Sequence, residues 1–346
     1  MKPIYIAAAE QISIQQPLSQ VWMQEPILYQ QELVKAVNPA FRDYLAANEV
    51  RRMGNIMKRA LVTALKVLKK TDTPHPDAII TGTSIGCLDY TEKFLDAMVE
   101  NGEEALSPTF FMQSTHNTVG STLGIYTKSH GYNVTYSHGG VSFELALLDA
   151  WMQMQLGRIS TALVGGHDEM TQPYFELLKK TGYVGQPGMV PCSEVAMSML
   201  LSNDAARDHL CELAGIRVFH GSTIEAVTQE TVKLLDAADM TVDNISAVMT
   251  GVNGNAINDT PYQEVTAALF PGKPQLYYKH LFGENYTVSA LGVYAAAYCL
   301  KHSVIPSTLL PSTFNAQTST LPPPQSILLL NQTENRDFAL VLLRKS

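Results

Sequence analysis

The stretch from Asn133 to Ser142 has the sequence NVTYSHGGVS, and it decides the fold. It begins with β-branched and aromatic residues, continues into a turn with two adjacent glycines, and then enters a run of apolar residues at helical spacing from Val141. The pattern predicts a strand, a sharp turn and the start of a helix. No cysteine is present in this stretch.

The residues around this turn alternate between helical and strand-like patterns. Strands that are joined by long crossover helices require a parallel sheet with both faces covered. The strands at 194–202 and 210–219 look like a pair. The patterns predict helices at 48–70, 115–132 and 141–156, and further strands at 77–83, 133–136 and 161–166.

The second part of the chain repeats this order with different residues. It begins with an amphipathic helix and ends with two apolar strands that suggest a hairpin. We therefore expect two similar halves, residues 1–205 with the turn at 135–142 and residues 206–346. The predicted elements are helices at 224–240, 261–270 and 286–303, strands at 245–252 and 275–281, and a hairpin of 327–330 with 338–343.

Composition excludes several classes of protein. The chain has 346 residues, of which 46% are hydrophobic, and a formal charge of −8. The negative charge and the absence of a Lys/Arg run argue against nucleic acid or an anionic membrane as partner. The apolar run near the start is too short for a signal peptide or a membrane span, so we expect a cytoplasmic protein. Its four cysteines are far apart, which indicates neither a zinc site nor a disulfide framework, and we expect no metal or cofactor.

Three pieces of sequence together carry a family resemblance. The turn lies between Phe110–Asn133 and Leu147–Glu169, and in that order the pieces resemble the core of a β-ketoacyl synthase, a condensing enzyme of the thiolase-like fold. The resemblance implies an α/β fold of two duplicated βαβαββ halves in five αβαβα layers. In the family the turn normally has the pattern Thr-Ala-Cys-x-Ser-Gly. Here its place is taken by Thr135-Tyr136-Ser137-His138-Gly139-Gly140.

The family's nucleophile position can be assigned in two ways. Counting from the strand puts Ser137 there, whereas counting back from Gly157 and Gly165-Gly166 puts Gly140 there. Both alternatives stay open. Neither residue carries a thiol.

The other family motifs are also altered. The first histidine motif, His-Gly-Thr, is matched by Asn253-Gly254-Asn255. The second, Lys-x-x-x-Gly-His, is matched by Lys279 to Glu284, which keeps the lysine and the glycine and replaces the histidine by Glu284. Of the glycine-rich loop near the end of the family sequence only Asn331 is kept. The candidate catalytic residues are therefore Ser137, Asn253, Lys279 and Glu284. Together they form a degenerate version of the family's active site, in which only the lysine is kept.

The loss of these groups predicts a homologue that does not catalyse condensation. A serine hydroxyl needs a general base, and an asparagine cannot accept a proton. The resemblance implies a subunit like the chain length factors, acting with an active ketosynthase and an acyl carrier protein in fatty-acid, polyketide or aryl-polyene biosynthesis. Two alternatives are a Ser137-dependent acyltransferase, hydrolase or malonyl decarboxylase with His138 or His116 as base, and a homodimeric acyl-binding scaffold.

Several other polar residues have a structural interpretation that we favour. His138 adjoins Ser137, but adjacent residues on a turn point apart, so a polar contact is expected. His116 and Asn117 begin a helix that in relatives lies at the dimer seam; capping or interface packing is favoured, and together with Asn331 they are the candidate substrate contacts. His167-Asp168-Glu169 is expected to hydrogen-bond loops. We expect Cys87 to be a buried thiol.

Overall fold

A computed structural model describes residues 2–51, 53–104, 106–221, 223–311 and 321–346. Ten strands form the sheet framework. The strands are β1 Tyr5–Ile12, β2 Ala78–Gly82, β3 Tyr132–Tyr136, β4 Thr161–Asp168, β5 Val195–Ser202, β6 Cys211–His220, β7 Ala247–Thr250, β8 Gln275–Tyr277, β9 Ser326–Thr333 and β10 Asp337–Arg344. The helices are α1 Ala47–Val50, α2 Asn55–Lys70, α3 Leu88–Asn101, α4 Pro108–Ser114, α5 Thr118–Thr127, α6 Ser142–Gln155, α7 Gln172–Lys180, α8 Ile224–Ala237, α9 Ala256–Leu269, α10 Lys279–Phe282 and α11 Ser289–His302.

The two parts of the chain build the same sheet twice. The strand order is β3-β2-β4-β5-β1-β6-β10-β9-β7-β8, so each part contributes five adjacent strands. In each part four strands run in the same direction, and one, β5 in the first part and β10 in the second, runs antiparallel to its two neighbours. Only the pairs Tyr5–Glu212 and Ile6–Cys211 join the two sets. The predicted duplication is therefore present.

The helices form three layers around these sheets. Helices α2 and α5 cover one outer face, α8 and α9 cover the other, and α6 and α11 lie between the two sheets. The central layer is made of small and apolar side chains that bury completely, which lets both sheets approach it closely. The five-layered arrangement implied by the resemblance is confirmed. When consecutive helices are counted together, the second part has the order β-α-β-α-β-α-β-β, one strand and one helix more than the βαβαββ pattern; the first part has the further helix α7 between β4 and β5.

Most predicted elements are confirmed within a few residues, but some local predictions are wrong. Strands β5 and β6 do not pair, because β1 lies between them. The helix expected at 48–70 is divided near Gly54, a residue that disfavours helix interiors. The helix expected at 115–132 is α5 alone, which ends where Lys128 adopts a left-handed conformation with φ 52°. Helices α3, α4 and α7 were not predicted, and the strand expected at 275–281 is wrong beyond Tyr277, because β8 ends there and helix α10 follows.

A close backbone contact positions the turn after β3. A Cβ atom on Gly82 would lie 2.5 Å from the Ser142 carbonyl oxygen, so only glycine lets α6 begin directly over the end of β2. The turn between β3 and α6 includes Gly139, with φ 52°, and closes with a single 3₁₀ turn, Gly139–Val141. Among the described helices none is both long and apolar enough to span a lipid bilayer.

Candidate functional site

A pocket of about 250 Å³ opens where the strands of the second part end and α6 begins. Its walls come from the turn before α6, the segments after β7 and β8, and the turn between β9 and β10. Five positions singled out from the sequence line it together: Gly140, Asn253, Lys279, Glu284 and Asn331.

A buried ion pair forms one side of the pocket. Lys279 Nζ lies 2.9 and 3.0 Å from the two carboxylate oxygens of Glu284, and the two residues are only 5% and 4% exposed. Asn253 Nδ2 donates to Glu284 Oε2 at 2.5 Å. Asn253 and Glu284, the two residues that we expect at the positions of the family's histidines, are thus bonded to each other.

The backbone around Glu284 is held by a neighbouring extended segment. The Glu284 N–H donates to the Pro191 carbonyl, and the Ser193 N–H donates to the Glu284 carbonyl. Gly283 has φ 79°, and a Cβ there would lie 2.5 Å from the Ser193 side chain. The retained glycine is therefore what allows Glu284 to enter the pocket wall.

The loop that carries Asn253 is held by a carboxylate on α9. Asp259 accepts hydrogen bonds from the backbone N–H groups of Asn253 and Gly254, both at 2.9 Å. Asn253 Oδ1 in turn accepts from the Asn255 N–H at 2.9 Å. Both the donor and the acceptor atom of the Asn253 side-chain amide are therefore hydrogen-bonded within the protein.

Asn331 joins the second part of the chain to the turn before α6. Its Nδ2 donates to the Gly140 carbonyl and to Glu144 Oε1, both at 2.8 Å. Its Oδ1 accepts from the Tyr262 hydroxyl at 3.3 Å. The one asparagine kept from the family's loop is thus part of a structural network.

Glu144, in the first turn of α6, is fully buried beneath this network. Burial raises its pKa to about 7, and the hydrogen bond from Asn331 and the charge of Lys279 only partly oppose that effect. A large part of Glu144 is therefore neutral near pH 7.

The two alternatives for the nucleophile position differ in the structure. Gly140 lines the pocket, and a Cβ there would lie 3.1 Å from Thr333 Cβ. Ser137 is exposed, is not among the lining residues, and its hydroxyl donates to the Ser84 carbonyl at 3.2 Å. No imidazole is bonded to Ser137 within the described part of the chain. The geometry favours Gly140, a residue without a side chain.

Neither a thiol nor an imidazole lines the pocket as the structure describes it. All four cysteines are buried, and burial raises the pKa of each thiol. A cysteine reacts as its thiolate, so these residues are poor nucleophiles where they stand.

The remaining predicted residues do not line this pocket, although His138 lines an adjoining cavity that shares Tyr183 and Tyr286 with it. His138 is largely exposed and its Nε2 lies 3.7 Å from Asp337 Oδ2, a surface polar contact. His116 and Asn117 are exposed ahead of α5 and do not line the pocket with Asn331. Asn117 is the N-cap residue, but its side chain does not cap the helix and instead accepts from Thr115 Oγ1 at 2.8 Å.

At the end of β4, Asp168 and Glu169 hold loops, in line with the structural interpretation. His167 does not, because neither of its ring nitrogens has a hydrogen-bond partner among the described residues. Asp168 accepts from Thr83 Oγ1 at 2.6 Å and from two backbone N–H groups, and Glu169 accepts from the Asp89 N–H at 3.0 Å. Burial lowers the pKa of His167 to about 3, so this imidazole is neutral. The described residues contain no group of three or more His, Cys, Asp or Glu side chains that could hold a metal ion.

Two features of the pocket were not anticipated from the sequence. Glu144 looks like an ordinary polar position in an amphipathic helix, but α6 lies in the central layer, where Asn331 of β9 donates to it. Tyr183 and Tyr286 line the pocket with ring centroids 6.0 Å apart, and the Tyr286 hydroxyl lies 3.0 Å from that of Tyr174. These tyrosines are distant in sequence, and no local pattern indicates their contact.

The sequence matches the model of a known protein family, and the structure is similar to solved structures. The model of the β-ketoacyl synthase N-terminal domain matches residues 20–260. The ishigamide ketosynthase/chain length factor shares the fold with a TM-score of 0.84 at 15% identity, over 100% of this chain and 99% of that one. No curated protein sequence matches significantly.

Two further solved structures share the thiolase-like fold. A type II PKS acyl-carrier protein in complex with its ketosynthase gives a TM-score of 0.79 at 13% identity, over 100% of this chain and 99% of that one. A ketosynthase in complex with its chain length factor from Xenorhabdus doucetiae gives 0.77 at 15%, over 100% and 98%. At these identities the likeness shows the fold.

The ion pair generates a stability prediction. Replacing Lys279→Met leaves the Glu284 carboxylate buried without a counter-charge, which should lower the free energy of unfolding by about 3–5 kcal/mol. The double variant Lys279→Met/Glu284→Gln should recover most of that loss, since the neutral amide can still accept from Asn253. Urea unfolding of the wild type, both single variants and the double variant measures the coupling. If the effects of the two substitutions on the free energy of unfolding were additive, the predicted coupling would be contradicted.

The buried Glu144 generates a pH prediction. Its pKa in the folded protein, about 7, lies above the ordinary value of 4.5, so folding favours the neutral form. The neutral form of Glu144 makes its full contribution to the free energy of unfolding below the ordinary pKa. This contribution is lost as the pH rises through about 7. Relative to Glu144→Gln, the wild type should lose up to about 1.4 kcal/mol per pH unit across that window and level off above it. Urea unfolding from pH 5 to pH 8 tests this; a constant difference between the two proteins would refute it.

Proposed function

The chain belongs to the β-ketoacyl synthase family, and we propose that it is a non-catalytic, chain-length-factor-like subunit that pairs with an active ketosynthase. The observation that carries the proposal is the pocket itself. The positions that correspond to the family's two histidines hold Asn253 and Glu284, and these are bonded to each other and to Lys279. Gly140 stands beside them with no side chain.

Condensation needs groups that this pocket does not supply. A nucleophile must accept the acyl chain, and donors must stabilise the negative charge that develops on the second substrate. Glu284 puts a carboxylate where such charge would develop, and its ion pair with Lys279 uses the one cation beside it. Groups of this kind act as a unit, so losing them together removes the reaction rather than slowing it.

Three amide side chains of the pocket, those of Asn258, Asn285 and Gln332, are also committed to hydrogen bonds within the protein. Asn258 Nδ2 donates to the Gly251 carbonyl at 3.1 Å, and the Gln332 amide donates to Asn258 and accepts from the Asn335 N–H. Asn285 bonds the Ser193 carbonyl and the Thr287 N–H. Side chains committed in this way hold loops together and are poorly suited to bind a substrate.

The sheet supports pairing with a second subunit. Strand β3 is an edge strand, so one side of its backbone has no partner strand among the residues that the structure describes. Exposed edges invite a strand from another chain. In the proposed complex the partner's strand continues the sheet beside β3 and α5, the partner carries the acyl chain, and the acyl carrier protein delivers substrates to it. The likeness to ketosynthase and chain length factor structures supports this arrangement.

The rival hypotheses have less support. Ser137 lacks a base within hydrogen-bond reach and lies outside the pocket, which speaks against a Ser137-dependent acyltransferase, hydrolase or decarboxylase. The homodimeric acyl-binding scaffold is an outcome of the pairing experiment below. We also propose that the two halves divide as residues 1–205 and 206–346, between β5 and β6.

The first functional prediction concerns the chain alone. Because no thiol or imidazole lines its pocket, the purified chain should form no condensation product from acyl and malonyl carrier-protein substrates, and Ser137→Ala should change nothing. Ser137→Cys and Gly140→Cys as single variants should be equally inactive, since each lacks the imidazoles that assist transfer and decarboxylation. Product analysis by mass spectrometry with a no-enzyme control measures this. Product, or released carbon dioxide, that disappears in Ser137→Ala would overturn the proposal.

The second functional prediction concerns assembly. Co-expression with the ketosynthase encoded beside this chain should give a one-to-one heterodimer that forms in preference to the homodimer, and the products should differ in length from those of the ketosynthase alone. Affinity purification with native mass spectrometry gives the stoichiometry. A stable homodimer that binds no ketosynthase, with product length unchanged by its presence, would replace the partner hypothesis with the scaffold hypothesis.

A further inference from the structure

An exposed apolar patch lies on the helical hairpin that α3 and α4 form between β2 and β3. The two helices pack on each other, and the Phe94 and Phe111 rings join them with centroids 5.4 Å apart. Apolar residues on the surface of a monomer are usually scattered singly, whereas here four large ones are neighbours. They are Leu95 at 52%, Val99 at 86%, Phe111 at 58% and Met112 at 70% exposed. A patch of this kind marks a contact surface.

The same hairpin is strongly acidic. Residues 88–104 hold six carboxylates and one lysine, a net charge of −5 in a chain whose formal charge is −8. The lysine, Lys93, is paired with Asp89 at 2.5 Å, and Glu92 accepts from Thr171 Oγ1. The other four carboxylates are exposed and form no ion pair among the described residues; they are Asp96, Glu100, Glu103 and Glu104. Asp96 and Glu100 directly follow Leu95 and Val99 on α3, so a row of carboxylates runs beside the apolar row.

Charge decides between the possible occupants of this patch. An anionic membrane could bury the apolar side chains, but its surface would be repelled by the carboxylates beside them. A second copy of the chain would bring a second hairpin of the same negative charge into the assembly. The patch therefore fits a protein surface that is apolar at its centre and carries Lys or Arg at its rim, because cations there would pair with Asp96 and Glu100.

The hairpin is joined to the edge of the sheet that pairs in the proposed complex. Helix α4 contacts α5, and α5 packs on β2 and on the edge strand β3. The Thr118 hydroxyl on α5 also donates to the Met112 carbonyl on α4 at 3.4 Å. A subunit that binds beside β3 and α5 is therefore well placed to cover the hairpin as well.

Resting on the proposed heterodimer, we propose that the α3–α4 hairpin is a second docking surface for the ketosynthase subunit. The partner covers Leu95, Val99 and Met112 with apolar side chains, and its Lys or Arg side chains pair with Asp96 and Glu100. Burial of the apolar patch supplies affinity. The charge pairs speed association and discriminate against acidic partners, which would leave like charges facing each other.

The first test removes apolar surface from the full chain. Val99→Ser and Met112→Ser change side chains that are mostly exposed, so the fold should be kept, which circular dichroism and urea unfolding check. The double variant should bind the ketosynthase encoded beside this chain at least about tenfold more weakly than the wild type, or about 1.4 kcal/mol, measured by titration calorimetry. Val232→Ser is the matched control, because Val232 is 48% exposed on α8, on the outer face of the second part. It should bind as tightly as the wild type.

The second test reverses one charge of the hairpin. Asp96→Lys should weaken binding of the ketosynthase and make the affinity less dependent on salt, since salt screens the attraction between opposite charges. Glu264→Lys is the matched control. Glu264 is an exposed carboxylate in α9, and it has the same position in that 14-residue helix as Asp96 has in α3. This control should keep the affinity and the salt dependence of the wild type, both measured by binding kinetics from low to high salt.

The outcomes separate this inference from the proposed function. If the ketosynthase binds wild type, Val99→Ser/Met112→Ser and Asp96→Lys equally well and with the same salt dependence, the hairpin is refuted as a docking surface and the partnership stands. If the ketosynthase does not bind the wild type, the partnership is refuted and the inference falls with it. If the variants lose self-association or binding of the carrier protein while they keep the ketosynthase, the hairpin serves another occupant and the inference is overturned.

Discussion

The carboxylate of Glu284 imposes the constraint on which the pocket depends. A carboxylate that is 4% exposed must be paired, and the pairing is complete here because Lys279 holds both oxygens and Asn253 donates to one of them. The loops after β7 and β8 are therefore locked together. Gly283 and Gly254, both with positive φ, give these loops their approach to the segment that includes Gly188 and Ser193.

The same interactions that stabilise the pocket make it unsuitable for condensation. In an active member of the family the groups at these positions must be free to exchange protons and to bind a reacting molecule. Here Asn253, Lys279 and Glu284 are committed to one another, and Asn331 is committed to Gly140 and Glu144. Through Asn331, Gly140 and Glu144, the pocket is also a junction between the two parts of the chain. Buried ion pairs of this kind add little net stability, but removing one partner is costly, so the substitution of both histidines works only as a set.

The sequence predicted the fold well because periodicity and order carry that information. The helix at 141–156 and the hairpin near 327–343 lie within a few residues of α6 and of β9 with β10. The site was only partly predictable. The motifs brought Asn253, Lys279, Glu284 and Asn331 to one pocket, yet they left Ser137 and Gly140 unresolved, because the 3₁₀ turn at Gly139–Val141 shifts the start of α6 and no sequence pattern encodes that shift. Glu144 is buried in the central layer, where Asn331 from a distant part of the sequence donates to it, so its burial could be seen only after the layers were assembled.

The most direct measurement locates the acyl group in the reconstituted complex. After incubation with an acyl-loaded carrier protein, intact-mass and peptide mass spectrometry of both subunits would show which residue is acylated. We expect acylation on the ketosynthase subunit's cysteine and an unchanged mass for this chain, with turnover lost when that cysteine is replaced. Acylation of this chain, at Ser137 or elsewhere, with turnover that survives loss of the partner's cysteine, would contradict the conclusion that this subunit is non-catalytic.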